Sequence, residues 1–169
     1  MLVAGLHESA AIRLTLVAVV LLAVQFSILS ELRPANLVVD LIAVLCAGLG
    51  SEAGPRRGGR AAFFVGLAFD LLLPTTLGVK ALTYGLGAFA VGCLPVERAR
   101  GLRTLTFAGA CAGMALGEGL VAAIFGAERA VSLSLVGAIV LGAVVGAGLG
   151  PVATRVARWT MMAGERPRL

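Results

Sequence analysis

The chain has 169 residues, of which 59% are hydrophobic and 14% charged, and its net charge is +5 at pH 7. Soluble domains average about 25% charged residues, so this composition excludes a disordered chain and argues against a water-soluble globule. The 23 glycines follow no three-residue period, which excludes a collagen. Length and composition together predict one compact domain, residues 1–169, that crosses a membrane several times.

Six apolar runs, separated by proline, glycine and charged residues, predict an all-α fold with six transmembrane helices. In chain order the runs are Ala10–Leu32, Ala35–Gly50, Ala61–Leu73, Leu77–Leu94, Thr104–Phe125 and Val131–Val152. The second and third runs are shorter than the roughly 20 residues that a bilayer requires, so loop residues or local thinning must complete them. An alternative joins these two runs into a re-entrant hairpin. The three arginines between Gly54 and Arg60 oppose it, because they are costly inside a bilayer.

The basic residues are divided unevenly between the two predicted sides of the membrane. With a cytoplasmic N-terminus, three of them lie outside, namely Arg33, Lys80 and Arg129, and the other eleven lie inside. The positive-inside rule therefore predicts a plasma-membrane protein with both termini in the cytoplasm. This membrane role explains the basic composition, and we do not expect nucleic acid as a partner. Trp159 and its neighbouring arginines follow the last run and predict an anchor among lipid headgroups, or alternatively a protein-binding tail.

Three acidic residues lie inside the apolar runs, where a carboxylate is expensive and is therefore a candidate for function. Asp40 is near the outer end of the second predicted helix, and Glu118 is in the outer half of the fifth. Asp70 is nine residues into the third predicted helix, about 14 Å along its axis and close to the midplane. Gly66 shares its face at spacing i, i+4 and lets another backbone approach the carboxylate.

The residues after Asp70 suggest what surrounds it. Pro74 ends the predicted helix and frees carbonyl groups near Gly78, and Lys80 follows at a distance that lets its side chain reach toward Asp70. Three roles stay open for Asp70. The first is a protonated or hydrogen-bonded group that locks helix packing. The second is a site for a ligand or proton, and the third is a contact with a partner.

Glycines recur every four residues on the last two predicted helices. They are Gly109, Gly113 and Gly117 on the fifth, and Gly142, Gly146 and Gly150 on the sixth. Such stripes let helix backbones pack closely in lipid. We expect Gly113 to pack within the chain, because Glu118 on the same helix also needs burial. We expect Gly146 to face a second protein, because the last helix otherwise has a lipid-compatible surface.

Catalytic chemistry has little to draw on in this sequence. The single histidine, His7, lies in the N-terminal tail, so no Ser–His–Asp set can be assembled. Metalloprotease, nucleophile-elbow and phosphate-loop motifs are missing, and the three cysteines form no CxxC pair. The sequence therefore predicts a protein that is not an enzyme and that has no catalytic, metal-binding or cofactor-binding residues.

The most specific pattern lies between Pro34 and Gly92. It reads Pro34-Ala-Asn-Leu-Val-Val-Asp40, a basic turn, Gly66-Leu-Ala-Phe-Asp70-Leu-Leu-Leu-Pro74, Leu77-Gly78-Val-Lys80-Ala-Leu82 and Tyr84-Gly-Leu-Gly87. This pattern has four parts. They are a glycine-leucine helix that ends in an aspartate, a short break, a Leu-Gly pair and a glycine-rich fourth helix. Over about a third of its length the chain thereby resembles the rod shape-determining protein MreD family.

This resemblance implies a fold and a set of partners. The fold would be that of the substrate-binding subunits of energy-coupling-factor transporters, to which the family is related. The function would be that of a non-enzymatic scaffold in the bacterial cell-elongation machinery, which directs peptidoglycan synthesis and rod shape. The implied partners are an MreC-like bitopic membrane protein, MreB filaments, and the glycosyltransferase RodA with its transpeptidase partner.

The relation to transporters keeps a second function open, that of a membrane subunit that binds a vitamin or another small molecule for transport. It would require a polar cavity that faces outside and an Ala-xxx-Ala docking stripe on the first helix. Ala18 is instead followed four residues later by Leu22, which disfavours this alternative.

Overall fold

The computed structural model describes residues 10–32, 40–72, 78–94, 100–124 and 133–162. These residues form five helices, which are α1 (Ala10–Leu32), α2 (Leu41–Leu72), α3 (Val79–Cys93), α4 (Arg100–Ile124) and α5 (Leu133–Met162). The described part of the chain is all-helical, in agreement with the predicted fold class. Pro74 and the predicted start of the second helix at Ala35 lie outside the described residues.

Helix α2 folds back on itself at Gly54. This residue has φ 76° and ψ 175°, a conformation open essentially only to glycine, and Pro55 begins the next helical stretch. The two arms, residues 41–53 and 55–72, touch because Gly58 lies directly against the backbone of Leu49 and Gly50. In a straight helix, eight residues would separate Gly58 from Gly50 by about 12 Å. The second helix is therefore a tight hairpin of two antiparallel arms.

The predicted basic loop between the second and third runs was wrong. Arg56, Arg57 and Arg60 all lie in the second arm of α2, and only Gly54 departs from helical geometry. The apolar pattern missed this arrangement because arginine forms helices well although it is charged. A single glycine then suffices to reverse the chain.

The last helix also extends beyond its predicted end. α5 continues ten residues past Val152 and carries Pro151 in its interior, so Trp159 lies within the helix rather than after it. The guanidinium of Arg13 lies over the Trp159 ring, 5.4 Å from its centre. This contact joins the first turns of α1 to the last turns of α5.

The helix ends gather at two opposite ends of the bundle. At one, which we call the arginine end, the start of α1 meets the end of α5, the end of α3 meets the turn of α2, and the start of α4 meets the first arm of α2. The contacts that show this are Arg13–Trp159, Gly92–Pro55 and Arg103–Glu52. The starts of α2 and α3 and the end of the second arm of α2 meet at the other end, which we call the junction end.

Of the five described helices, two are long and apolar enough to cross a membrane by length and composition. The qualifying segments are Leu102–Val121 in α4 and Leu135–Met161 in α5. Shorter apolar stretches occupy Ala11–Gln25 in α1 and Val79–Cys93 in α3. Large apolar side chains are exposed on every helix, among them Leu16, Phe64, Leu86, Leu105 and Val144. Membrane association is therefore indicated by these helices.

Candidate functional site

Five polar side chains meet at the junction end, and we call this cluster the polar junction. It consists of Asp40, Asp70, Lys80, Tyr84 and Glu118. Asp40 stands immediately before α2, and Asp70 lies near the end of its second arm. The others come from α3 and α4, so the junction ties together three consecutive helices.

Lys80 occupies the centre of the polar junction. Its Nζ atom lies 2.7 Å from Oε1 of Glu118 and 3.4 Å from Oδ2 of Asp40, and it donates to the hydroxyl of Tyr84 at 3.2 Å. Only 14% of the lysine side chain is exposed. The rings of Phe69 and Tyr84 lie 5.0 and 5.3 Å from Nζ, within range of cation–π attraction. A largely buried ammonium is tolerated here because two carboxylates and two rings surround it.

Asp40 uses its two carboxylate oxygens for different purposes. Oδ1 accepts the backbone N–H groups of Ile42 and Ala43, each at 3.1 Å, which is the bonding of a helix N-cap. Oδ2 faces Lys80 and accepts a hydrogen bond from the hydroxyl of Tyr84. The start of α2 is therefore fastened directly to α3.

Asp70 caps the start of α3 from another helix. Its Oδ2 atom accepts the N–H groups of Gly78 at 2.9 Å and Ala81 at 3.1 Å, and Oδ1 accepts that of Lys80 at 3.3 Å. These are among the N–H groups that the start of a helix leaves unsatisfied, and the helix dipole favours a negative charge there. This bonding explains how a carboxylate that is only 2% exposed can stand in an apolar interior.

Two sequence expectations about Asp70 need correction. It lies two residues before the end of α2 rather than near the middle of a membrane-spanning helix, because that arm begins at Pro55 and not at Ala61. Lys80 does approach Asp70, but through its backbone N–H, while its ammonium turns to Asp40 and Glu118. The spacing of the residues placed the lysine correctly and left its side-chain direction undetermined.

Gly66 provides the close approach that the sequence suggests for it. A Cβ atom at Gly66 would lie 2.6 Å from the carbonyl oxygen of Lys80 and 2.7 Å from the Cα atom of Ala81. Any larger residue would push α3 away and lengthen the hydrogen bonds of Asp70. The structure thus brings Asp40, Gly66, Asp70, Gly78, Lys80 and Glu118 into one region.

The structure reverses the expected roles of Gly113 and Gly146: the first is exposed and the second is packed within the chain. Gly146 is buried within the chain, where a Cβ atom would lie 2.8 Å from both the carbonyl oxygen of Phe107 and the sulfur of Cys111 on α4. Gly113 is exposed and has no neighbouring helix within 4 Å of its Cβ position. The expectation failed because Gly113 and Glu118 are five residues apart, which places them about 140° apart around the helix axis. Burial of one therefore says nothing about burial of the other.

Gly113 borders a groove between α3 and α4, which we call the glycine groove. Its volume is about 620 Å³, and its lining is nearly all apolar and includes Leu86, Leu105, Gly109, Gly113 and Gly117. The three glycines span about 12 Å along α4. At Gly109 and Gly113, where a Cβ atom would meet nothing within 4 Å, a helix backbone can approach α4 closely. The Cβ position of Gly117 is instead 3.0 Å from the side chain of Thr83 on α3.

A second ion cluster lies at the arginine end, around Glu52 in the first arm of α2. Oε1 of Glu52 lies 2.8 Å from Arg103, Oε2 lies 3.0 Å from Arg158, and the glutamate side chain is 8% exposed. No sequence motif pointed to Glu52. The available signal was a lone acidic residue beside the arginine-rich segment that follows Gly54.

The contacts of the polar junction hold helices together. Each of its charged groups is engaged by another member or by a helix start, as the distances above show. No three His, Cys, Asp or Glu side chains in the described ranges are placed to hold a metal ion together.

Comparison with known proteins identifies no relative. No family model, curated protein or solved structure matches this chain. Its function has therefore to be inferred from the polar junction, the glycine groove and the motif that runs from Gly66 to Tyr84.

Proposed function

We propose that this chain is a non-enzymatic scaffold subunit of the bacterial cell-elongation machinery, similar to MreD. In this proposal it crosses the plasma membrane six times with both termini in the cytoplasm. It binds a transmembrane helix of an MreC-like bitopic protein and, within the same assembly, works beside MreB filaments and RodA with its transpeptidase partner.

The distribution of charge supports the membrane arrangement. The two arms of α2 and the other four helices give six segments of alternating direction, in agreement with the contacts at the two ends. Exposed arginines and Trp159 gather at the arginine end, which would face the cytoplasm. The charges within the bundle are paired or cap helix starts, as a lipid environment requires.

The residues of the MreD-like motif are the ones that build the polar junction. Gly66, Asp70, Gly78 and Lys80 fasten α2 to α3 through backbone contacts, and Tyr84 extends the cluster to Asp40. The motif thereby has a structural purpose that needs no substrate. This agrees with a scaffold, and it disfavours the transporter alternative, whose ligand would need polar groups that are not already satisfied by each other.

The glycine groove is the observation that carries the proposal. Small residues at helix surfaces drive association in lipid because they let two backbones approach. The groove is apolar and two helical turns long, which fits the membrane span of a bitopic partner rather than a soluble domain. The other stripe, around Gly146, is already filled by α4 and is not available.

Site-specific photo-crosslinking in the native bacterium tests the proposal. A benzoyl-phenylalanine at Gly113 should crosslink to the MreC-like protein. The same group at Gly148 is the matched control, because Gly148 is also exposed and open but lies on α5. Depletion of the chain should turn rods into spheres, and re-expression should restore them.

Two outcomes would contradict the proposal. Equal crosslinking from Gly113 and Gly148, or none to an MreC-like protein, would remove the groove as the partner surface. Co-purification with transport ATPase subunits and a retained small molecule, with cell shape unaffected by depletion, would establish the transporter alternative instead.

A further inference from the structure

A crevice opens between α4 and α5 at the arginine end. Its volume is about 410 Å³, and three guanidinium groups border it, those of Arg103, Arg155 and Arg158. Phe107 and Ala147 provide an apolar floor. The crevice is separate from both the polar junction and the glycine groove.

The charges in this crevice are not balanced. The carboxylate of Glu52 is shared by Arg103 and Arg158, so one negative charge faces two positive ones. Arg155 is exposed and has no hydrogen bond or ion pair with any residue in the described part of the chain. Among the described residues, three guanidinium groups against one carboxylate leave two positive charges. Because each guanidinium has five N–H donors, several donors stay available to a ligand.

The surroundings of the crevice resemble a membrane boundary. Trp159, with Arg13 over its ring, lies at the same end and marks the level at which indole rings sit among headgroups. Toward the middle of α5, the exposed side chains of Val144 and Val140 lie within about 20° and 60° of Arg155 around the helix axis. A cationic crevice therefore continues into an apolar strip on the same helix.

We propose that this crevice binds an anionic phospholipid, with the phosphate at the guanidinium groups and an acyl chain along Val144. Arginine forks match phosphate oxygens in a bidentate manner, and basic pockets between helices at the cytoplasmic side suit anionic headgroups. The two uncompensated charges select phosphatidylglycerol over zwitterionic phosphatidylcholine. The site acts independently of the partner in the glycine groove, so either proposal can fail alone.

Native mass spectrometry of the full chain, released from detergent, measures lipid retention directly. The wild-type protein should retain phosphatidylglycerol in preference to phosphatidylcholine, and equimolar inorganic phosphate should not displace it. Arg155→Gln should lower phosphatidylglycerol retention about fivefold. Arg56→Gln should leave it unchanged, because Arg56 is an exposed arginine in the second arm of α2 and does not border the crevice.

Ala147→Leu tests the shape of the site without a change in charge. The larger side chain should fill the floor of the crevice and also lower retention, while the melting temperature in neutral detergent verifies that each variant is folded. Equal retention of the two lipids, or equal losses for Arg155→Gln and Arg56→Gln, would overturn the proposal in favour of a nonspecific surface charge. Displacement by inorganic phosphate would overturn it in favour of a site for free phosphate.

Discussion

The carboxylate of Asp70 accepts the backbone N–H of Gly78 at 2.9 Å, so a side chain near the end of α2 caps the start of α3. Gly78 itself has φ 96° and has no side chain that could cap the helix. The cap is therefore supplied by the preceding helix. This relationship fixes the angle between the two helices and gives a buried carboxylate a stable environment.

Replacement of Asp70 should be judged by how many of these bonds survive. Asp70→Leu leaves three N–H groups without acceptors in a buried place, so we expect a loss of about 3 kcal/mol or more in the free energy of unfolding. Asp70→Asn retains one amide oxygen that can accept from Gly78 and Ala81, while its NH2 group cannot accept from Lys80. It should therefore lose about 1–2 kcal/mol, from one hydrogen bond and the charge–dipole attraction. Melting temperatures in detergent and protein levels in membranes measure both effects.

A different ranking of these two variants would change the assignment of Asp70. If Asp70→Leu has the same melting temperature as the wild-type protein, the carboxylate does not cap α3. If Asp70→Asn is fully stable and abundant but does not restore rod shape, the negative charge itself has a function beyond capping.

The contribution of Lys80 to stability should depend on the two carboxylates that face it, those of Asp40 and Glu118. Lys80→Met leaves Asp40 and Glu118 without their counter-charge, and breaking such a buried pair costs about 3–5 kcal/mol. Glu118→Gln in the Lys80→Met background removes one of the two stranded charges and should restore part of the loss. A double-mutant cycle over the four proteins gives the coupling, and additive effects would show that the two side chains do not interact.

The sequence was informative where residue type alone determines the outcome. The bounds of α1 match the first apolar run, and the approach of α3 at Gly66 follows from the absence of a side chain there. The sequence was less informative about direction. The sequence places Lys80 close to Asp70, but its ammonium contacts the carboxylates of Asp40 and Glu118 instead. Only the packing of α2 against α4 brings those two carboxylates near the lysine.

The errors about the basic loop and the glycine stripes have different physical origins. Apolar residues surround most of these helices, so hydrophobic periodicity does not say which face turns inward. Gly113 and Gly146 stand in equivalent patterns, and only the position of α4 against α5 decides that Gly146 is covered. The segment after Gly54 was predicted to be a loop because its arginines end the apolar run, although the helix continues through them.

The side of the membrane on which the arginine end lies can be measured by thiol labelling. In a background with Cys93 replaced by serine, Arg56→Cys and Arg155→Cys should react with an impermeant maleimide only in inverted vesicles. Leu72→Cys, at the exposed last residue of α2 at the junction end, should react only in right-side-out vesicles. Cys46 and Cys111 are buried and should stay silent. Labelling of Arg56→Cys from outside would contradict the proposed cytoplasmic face.

The two glycine stripes should respond differently to the same substitution. Gly146→Leu places a side chain against the carbonyl of Phe107, with a Cβ distance of 2.8 Å, so α4 and α5 must separate. We expect a loss of about 2 kcal/mol or more in the free energy of unfolding, whether or not a partner is present.

Gly113→Leu meets open space, so the isolated chain should melt like the wild-type protein. Its side chain would instead fill the glycine groove, and co-purification of the MreC-like protein should fall. Gly148→Leu is the control, because Gly148 is equally open and lies away from the groove, and it should alter neither property. A Gly113→Leu variant that retains its partner at wild-type levels would place the interface on another face of the bundle, whereas a strongly destabilised one would show that α3 and α4 close over the groove in the membrane.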